Sequence, residues 1–435
     1  MSASADSASS LPSNGPSAGL PSAHSAFRMT AEERRSSFSL AAIFALRMLG
    51  LFLVLPVFAL EAARLPGGHD PVLIGLAMGI YGLTQAVLQV PLGLASDHYG
   101  RKRVIVLGLI VFAAGSVLSA CAGTITGLIA GRALQGAGAI SAAVTALLAD
   151  LTRDEVRTKG MAMVGASIGL MFALSLMVAP TLNHWFGLPG LFVLTTVLAL
   201  AGIALVVWVT PPEPQRHADQ PRGRIADVWA HPKLWRLDLG VFVLHTVQMS
   251  MWVVVPGLLV QAGLPKALHW HVYLPAVLLS FVLLVIIFGA ERGGHLRAVL
   301  RGGIALLLLV QLALWRLAPH APGIWAIGIV LFFFFAAFNA LEATQPSLIS
   351  RLAPASARGA ALGIYNTLQS LGLFAGGALG GLLLKHSGPG AVFTVTTALA
   401  ALWLLLGWAQ AVPPPRSRQP VQLETVETPP TRGAA

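Results

Sequence analysis

Twelve runs of about 20 apolar residues fill most of this chain, and that pattern allows very few folds. A helix rising 1.5 Å per residue crosses about 30 Å of hydrocarbon in about 20 residues. In lipid no water is available to satisfy backbone polar groups, so segments of this length must be helical. The runs fall at 38–62, 72–95, 103–122, 125–149, 160–183 and 189–210, then at 236–260, 269–290, 297–317, 322–345, 359–384 and 389–411. The expected class is an all-α membrane protein of 12 transmembrane helices.

Composition supports this. Only 10% of the 435 residues are charged and 56% are hydrophobic, whereas soluble domains are about 25% charged. The net charge of +11 would suit a nucleic-acid binder, but the cations sit in short loops between apolar runs. Placing both termini in the cytoplasm puts 22 of the 28 Lys and Arg on the inside and leaves Arg64, Lys266, Arg316 and Lys385 outside. That split obeys the positive-inside rule and needs an even number of crossings. The location it implies is the inner (plasma) membrane, multi-pass, with anionic lipids against the basic cytoplasmic face and no nucleic-acid partner. The lone cysteine, Cys121, excludes an intrachain disulfide and reads as a small packing residue.

The longest inside linker follows the sixth run and holds Pro211, Pro212, Pro214 and Pro221. The reading is therefore a disordered cytoplasmic tail over 1–36, a six-helix half over 37–210 and a cytoplasmic linker over 211–235. A second six-helix half over 236–411 and a disordered cytoplasmic tail over 412–435 complete it. The halves echo each other. Thr152-Arg153, Arg157, Gly160 and Gly165 after run four match Ser350-Arg351, Arg358, Gly359 and Gly363 after run ten. Gly93 and Arg101 match Gly289 and Arg297 more weakly. Duplicated halves are a layout of secondary transporters.

Between runs two and three stands Gly93-Leu94-Ala95-Ser96-Asp97-His98-Tyr99-Gly100-Arg101-Lys102-Arg103. Gly93 allows close helix approach, and Gly100 allows a turn that other residues resist. Asp97 is an acid in a basic loop, placed to accept charge-assisted hydrogen bonds from an arginine or a helix N-terminus. The segment resembles the signature loop of major facilitator transporters, with His98 in place of the usual cation after the acid. Leu128, Arg132, Gln135, Gly136 and Gly138 resemble the span-four motif of the same family. Leu46-Arg47-Met48-Leu49-Gly50, Ile80 to Ala86 and Phe338-Asn339 resemble the YajR-type inner-membrane transporters of that family. The soluble domain that type carries after its last span is expected to be missing here. The span-five antiporter motif is poorly matched, with Gly165, Gly169 and Ala179-Pro180 its only traces. The resemblance implies a major facilitator fold of two pseudo-symmetric halves, a monomer, and a central cavity lined by spans one, four, seven and ten.

Each of those spans carries an unusual polar residue: Arg47, Arg132, His245 and Glu342. Ionisable groups inside a membrane are costly and mark ion or substrate paths. Arg47, His245 and Glu342 lie at similar depth and are expected to cluster. Glu342 is the expected proton acceptor, His245 shares the load, and the resemblance links Arg132 to proton coupling. A fixed Arg47–Glu342 bridge is the structural alternative. Gln85, Gln89, Gln248, Asn339, Asn366 and Gln369 are candidate cavity residues, with Trp252, Tyr365 and Tyr273 as aromatic surface. A mostly apolar cavity suits small amphipathic substrates. The expected function is proton-coupled efflux by alternating access, with uptake or export of a metabolite such as a sugar or organic acid as the alternative. A receptor or scaffold is a remote third reading. HExxH, CxxC and Walker A motifs are absent from the sequence. An enzyme, a metal site and any cofactor beyond the proton gradient are therefore not expected.

Overall fold

The computed structural model describes residues 29–213, 232–292, 295–320, 322–354, 358–408 and 410. Of the expected tails only 29–36 falls among them, and of the linker only 211–213 and 232–235. The elements are α1 (Ala31–Ala62), α2 (Pro71–Tyr99), α3 (Arg101–Ala120), α4 (Ile125–Ala137), α5 (Ser141–Asp150) and α6 (Asp154–Ala204). A π turn (Leu205–Val209) continues α6. Then come α7 (Pro232–Gln261), α8 (Trp270–Arg292), α9 (Leu296–Leu317), α10 (Ile324–Leu352) and α11 (Arg358–Trp408). Ten helical segments among the described residues are long and apolar enough to cross a membrane, α4 and α5 counting as one.

Two helices are too long for a single crossing. α6 and α11 each run 51 residues, about 75 Å at the α-helical rise. Each contains one non-helical residue, Gly187 (φ 64°) and Gly388 (φ 74°). A Cβ at Gly187 would meet only Pro189 at ordinary contact distance, and one at Gly388 would meet nothing. Backbone conformation, not space, selects glycine at both. Proline follows at 189 and 389, where its fixed φ suits the first turn of a new helix. The two breaks lie about 200 residues apart, a third echo between the halves.

The structure moves two boundaries. α1 begins at Ala31, inside the segment expected to be a disordered tail. Thr30 accepts from the Glu33 backbone amide at 3.1 Å, and Glu33 accepts from the Thr30 amide at 2.8 Å, closing a capping box. The expected single run 125–149 is broken over 138–140. Gly138 packs so closely on α3 that its Cβ would lie 2.8 Å from the Phe112 nitrogen. Cys121, read as a packing residue, is exposed at the end of α3.

Lipid tails are as apolar as leucine, so helices in a bilayer associate through close packing of small residues. The main seam between the halves is built that way. Gly75, Gly79 and Gly82 on α2 cross Ser370, Phe374, Gly377 and Gly381 on α11. A Cβ on Gly79 would lie 2.7 Å from the Phe374 carbonyl, and one on Gly377 would lie 2.5 Å from that of Gly75.

Two measurements test this account. Thr30→Ala should cost about 1 kcal/mol of stability. Glu33→Ala should cost about 2 kcal/mol or more, because Glu33 also accepts from Arg153 at 2.8 and 3.1 Å. Thermal unfolding in detergent ranks the two. Gly79→Leu should force the seam apart. Cross-linking between Asp70→Cys and Lys385→Cys should then fall about tenfold, the effect of roughly 1.4 kcal/mol.

Candidate functional site

The signature loop is a clasp. Gly100 takes φ 99° and turns the chain from α2 into α3. Arg101 Nη2 pairs with Asp97 Oδ1 at 2.5 Å, and Arg101 Nε with Asp150 Oδ2 at 3.3 Å. Arg101 Nη1 also donates to Ser96 Oγ at 2.5 Å. One guanidinium thus joins the ends of α2 and α5. The first amides of α3 are capped by Glu213, which accepts from Arg101 N at 2.9 Å and Lys102 N at 2.5 Å. Lys102 Nζ donates to the Thr210 carbonyl at 2.5 Å. The start of the inter-half linker is therefore fastened to the clasp. Gly93 packs against Ala142 on α5, and His98 points away, its ring edge-on to Tyr99. Sequence reasoning missed Glu213. Its signal is an acid between prolines where a helix N-terminus needs acceptors.

In the first half two arginines are fully buried, Arg47 at 1% and Arg132 at 2% exposure. Arg47 Nη2 donates to the Tyr81 hydroxyl at 2.7 Å and to Gln85 Oε1 at 3.5 Å, and Nη1 to Ser141 Oγ at 3.4 Å. Arg132 Nη1 donates to Gln135 Oε1 at 2.8 Å, and Nε to the Ala77 carbonyl at 3.4 Å. Its guanidinium lies 5.0 Å from the Tyr81 ring centroid and 5.7 Å from that of Phe58. Tyr81 thus serves both, its oxygen facing Arg47 and its ring facing Arg132. Neither arginine pairs with a carboxylate among the described residues, and π faces and amide oxygens take that place.

The second half holds the acid. Glu342 Oε1 accepts from Gln369 Nε2 at 2.9 Å, and Oε2 lies 3.6 Å from His245 Nε2. Gln369 Nε2 is also 2.8 Å from His245 Nε2, while His245 Nδ1 lies 3.0 Å from the Val241 carbonyl. This set fits a neutral imidazole whose Nδ1–H donates to Val241 and whose Nε2 accepts. The Glu342 side chain is 35% exposed although it sits mid-helix, so solvent reaches this cluster. The expected three-residue cluster is thus corrected. His245 and Glu342 meet, but Arg47 stays in its own half. Tyr81, Ser141 and Gln85 take its two Nη groups while its Nε has no partner among the described residues, and the alternative Arg47–Glu342 bridge is not formed.

The two sets approach across the seam. Gln85 Nε2 donates to Ser370 Oγ at 3.1 Å, one residue from Gln369. The other expected cavity residues scatter. Asn339 donates to Ser280 on α8 at 2.9 Å. Gln89 is buried, and neither end of its amide finds a partner among the described residues. Gln248 is buried, and Asn366 is half-buried beside Tyr365, whose buried hydroxyl lacks a partner among the described residues. Trp252 packs edge-on against Tyr273 at 5.3 Å and Phe172 at 6.4 Å, and Phe172 against Phe52 at 5.1 Å and Phe335 at 5.8 Å. This aromatic group joins Phe52 and Phe172 of the first half to Trp252, Tyr273 and Phe335 of the second.

At the end opposite the clasp two ion pairs join the halves. Glu61 on α1 meets Lys266 of the loop before α8 and accepts from Asn183 at 2.9 Å. Asp70 accepts from Lys385 on α11 at 2.7 Å. The Lys385 hydrogen bond holds the Asp70 carboxyl below its ordinary value of 3.8.

With this geometry in place, the comparisons are specific. The sequence profile of the Major Facilitator Superfamily matches residues 40–341 and 239–433. The inner membrane transport protein YajR of Escherichia coli K12 is 44% identical over 393 residues, 89% of this chain and 86% of that protein. The multidrug resistance protein MdtH of Aeromonas salmonicida is 26% identical over 82% of this chain and 87% of its own length. Among solved structures, a D-xylose–proton symporter overlays with TM-score 0.67 at 17% identity, covering 87% of this chain and 98% of that one. The chain is a transporter and belongs to the Major Facilitator Superfamily.

Proposed function

We propose that this protein is a proton-coupled secondary transporter of the inner membrane that exports small amphipathic compounds by alternating access. Splitting α6 at Gly187 and α11 at Gly388 turns the ten long segments into twelve crossings, six per half. An even number of crossings puts both termini on one side, and the Lys/Arg-rich clasp end is then cytoplasmic. The observation that carries the reading is Glu342, a solvent-reached carboxylate in a span, 3.6 Å from a histidine and beside the seam between the halves.

The mechanism follows from that contact. Glu342 takes a proton from the aqueous side, and Gln369 and His245 steady either charge state. A protonated Glu342 carries a donor that an ionised one lacks, so protonation changes how α7, α10 and α11 hold together. The far-end pairs Glu61–Lys266 and Asp70–Lys385 keep the outer side shut in this conformation. Reversal requires them to part while the clasp end closes. The aromatic lining of Trp252, Phe172 and Phe335 suits amphipathic substrates, and MdtH, a multidrug resistance protein by name, is a relative along most of the chain. A second reading, transport of an anionic metabolite such as an organic acid, is favoured by Arg47 and Arg132, two buried cations without carboxylate partners.

Inside-out vesicles with an acid interior test coupling. Lipophilic cations should release protons from wild-type vesicles, read with a fluorescent weak base, and should release none above background with Glu342→Gln. Release that survives the substitution rules out Glu342 as the coupling acid. The outer lock is tested with spin labels at His69→Cys and His386→Cys in a Cys121→Ser background. Asp70 is the lowered partner, so its contribution is complete above the ordinary carboxylate value and is lost only as pH falls through the lowered one. The label distance should therefore stay constant from about pH 8 to about pH 5. A second, longer distance should appear in Lys266→Ala/Lys385→Ala.

A further inference from the structure

α7 carries a second intramembrane acid that the cluster above does not use. Asp238 is 5% exposed, and its Oδ1 accepts no hydrogen bond among the described residues. It forms no ion pair among them either. It lies seven residues before His245, so the two share a helix face and stand about 10 Å apart along the axis. Asp238 is the nearer to the clasp end, about 9 Å from the start of α7 at Pro232.

Tyr365 on α11 is also buried, and its hydroxyl has no hydrogen-bond partner among the described residues. Glu342 Oε2 lies 3.6 Å from His245 Nε2. Asp238 thus stands nearer the clasp end than the Glu342–His245 contact and, unlike Glu342, has no ion-pair partner among the described residues. The titratable groups within the spans packed on α7 are Arg47 on α1, Tyr81 on α2, Glu342 on α10 and Tyr365 on α11, with His245 on α7 itself. Arg236 is turned about 200° away around α7. An ionised carboxylate without a donor or cation is strongly disfavoured inside a membrane. A bound proton removes the charge and supplies a donor.

We propose that Asp238 is a second proton-binding carboxylate, a station for protons between the cytoplasmic side and Glu342. In the transfer protonated Asp238 loses its proton and ionised Glu342 gains one, carried between them by water. Asp238 is left ionised and is reprotonated from water at the clasp end. The inference rests on the coupling role proposed for Glu342, but its test separates the two.

The test is infrared difference spectroscopy of the full-length protein in lipid, titrated from about pH 8 to about pH 5 and read at the carbonyl stretch of protonated carboxylic acids. Wild type should show two acid components that gain intensity as pH falls. Asp238→Asn should lose one and keep the other, Glu342→Gln should lose the complementary one, and Asp238→Glu should restore a shifted component. Proton release in the vesicle assay should slow about tenfold in Asp238→Asn, with substrate binding unchanged. An Asp238→Asn spectrum identical to wild type overturns the proposal. So does a component assigned to Asp238 that is present at every pH, or one that responds to sodium and not to pH. Loss of the Asp238 component with an unaltered Glu342→Gln spectrum would remove the coupling role of Glu342 alone.

Discussion

Hydrocarbon cannot hydrogen-bond to a peptide group, and the rest of this structure follows from that. Each crossing must satisfy its own backbone, which makes it a helix. Helices must then be held together without a hydrophobic drive, which puts glycine at the crossings. The α2–α11 seam shows the result. Gly75, Gly79 and Gly82 meet Gly377, Gly381 and the Phe374 backbone at distances where a single methyl group would overlap. A seam without large side chains has few interlocking knobs, and it leaves the halves free to move as units. The contacts that oppose such movement are polar and sit at the ends.

The same solvent explains how charge is distributed. Arg47 and Arg132 are sheltered by Tyr81, Phe58, Phe112 and amide oxygens, so the first half keeps positive charge in its interior. The second half keeps Asp238 and Glu342. Among the described residues no ion pair bridges these buried charges of the two halves. Gln85 and Ser370 join there by a neutral hydrogen bond. A fixed salt bridge at that place would lock the seam. Neutral amide and hydroxyl groups can exchange partners or accept water at small cost. The strong pairs are placed at the far end and at the clasp, where water assists their breaking.

The clasp repeats this logic with a glycine. Gly100 must take a left-handed conformation to turn α2 into α3, and the open amides that follow need acceptors. Glu213 supplies them from over 100 residues away. That contact ties the linker between the halves to the loop most characteristic of the family, so a change in either is felt by the other.

Much was legible in the sequence because lipid enforces local rules. The apolar runs 72–95, 103–122, 236–260 and 297–317 are helices to within a few residues, since their length is set by bilayer thickness. The signature loop was legible because Gly100 and Asp97 are needed for local reasons. The breaks at Gly187 and Gly388 were visible as gaps between runs, marked by glycine with proline close behind. Partner choice was not legible. Arg47, His245 and Glu342 share a depth, but rotation about each helix axis decides which groups meet. That rotation is set by glycine contacts between distant segments, such as Gly372 against Phe242 and Gly136 against Tyr81. Asp238 was overlooked because it lies close to a span boundary, where an acid reads as loop. Sequence alone determined the type of the elements and where the long apolar ones fall, because backbone and solvent act on each segment separately. Tertiary structure alone decided which buried charges face one another, because that depends on packing among helices far apart in the chain.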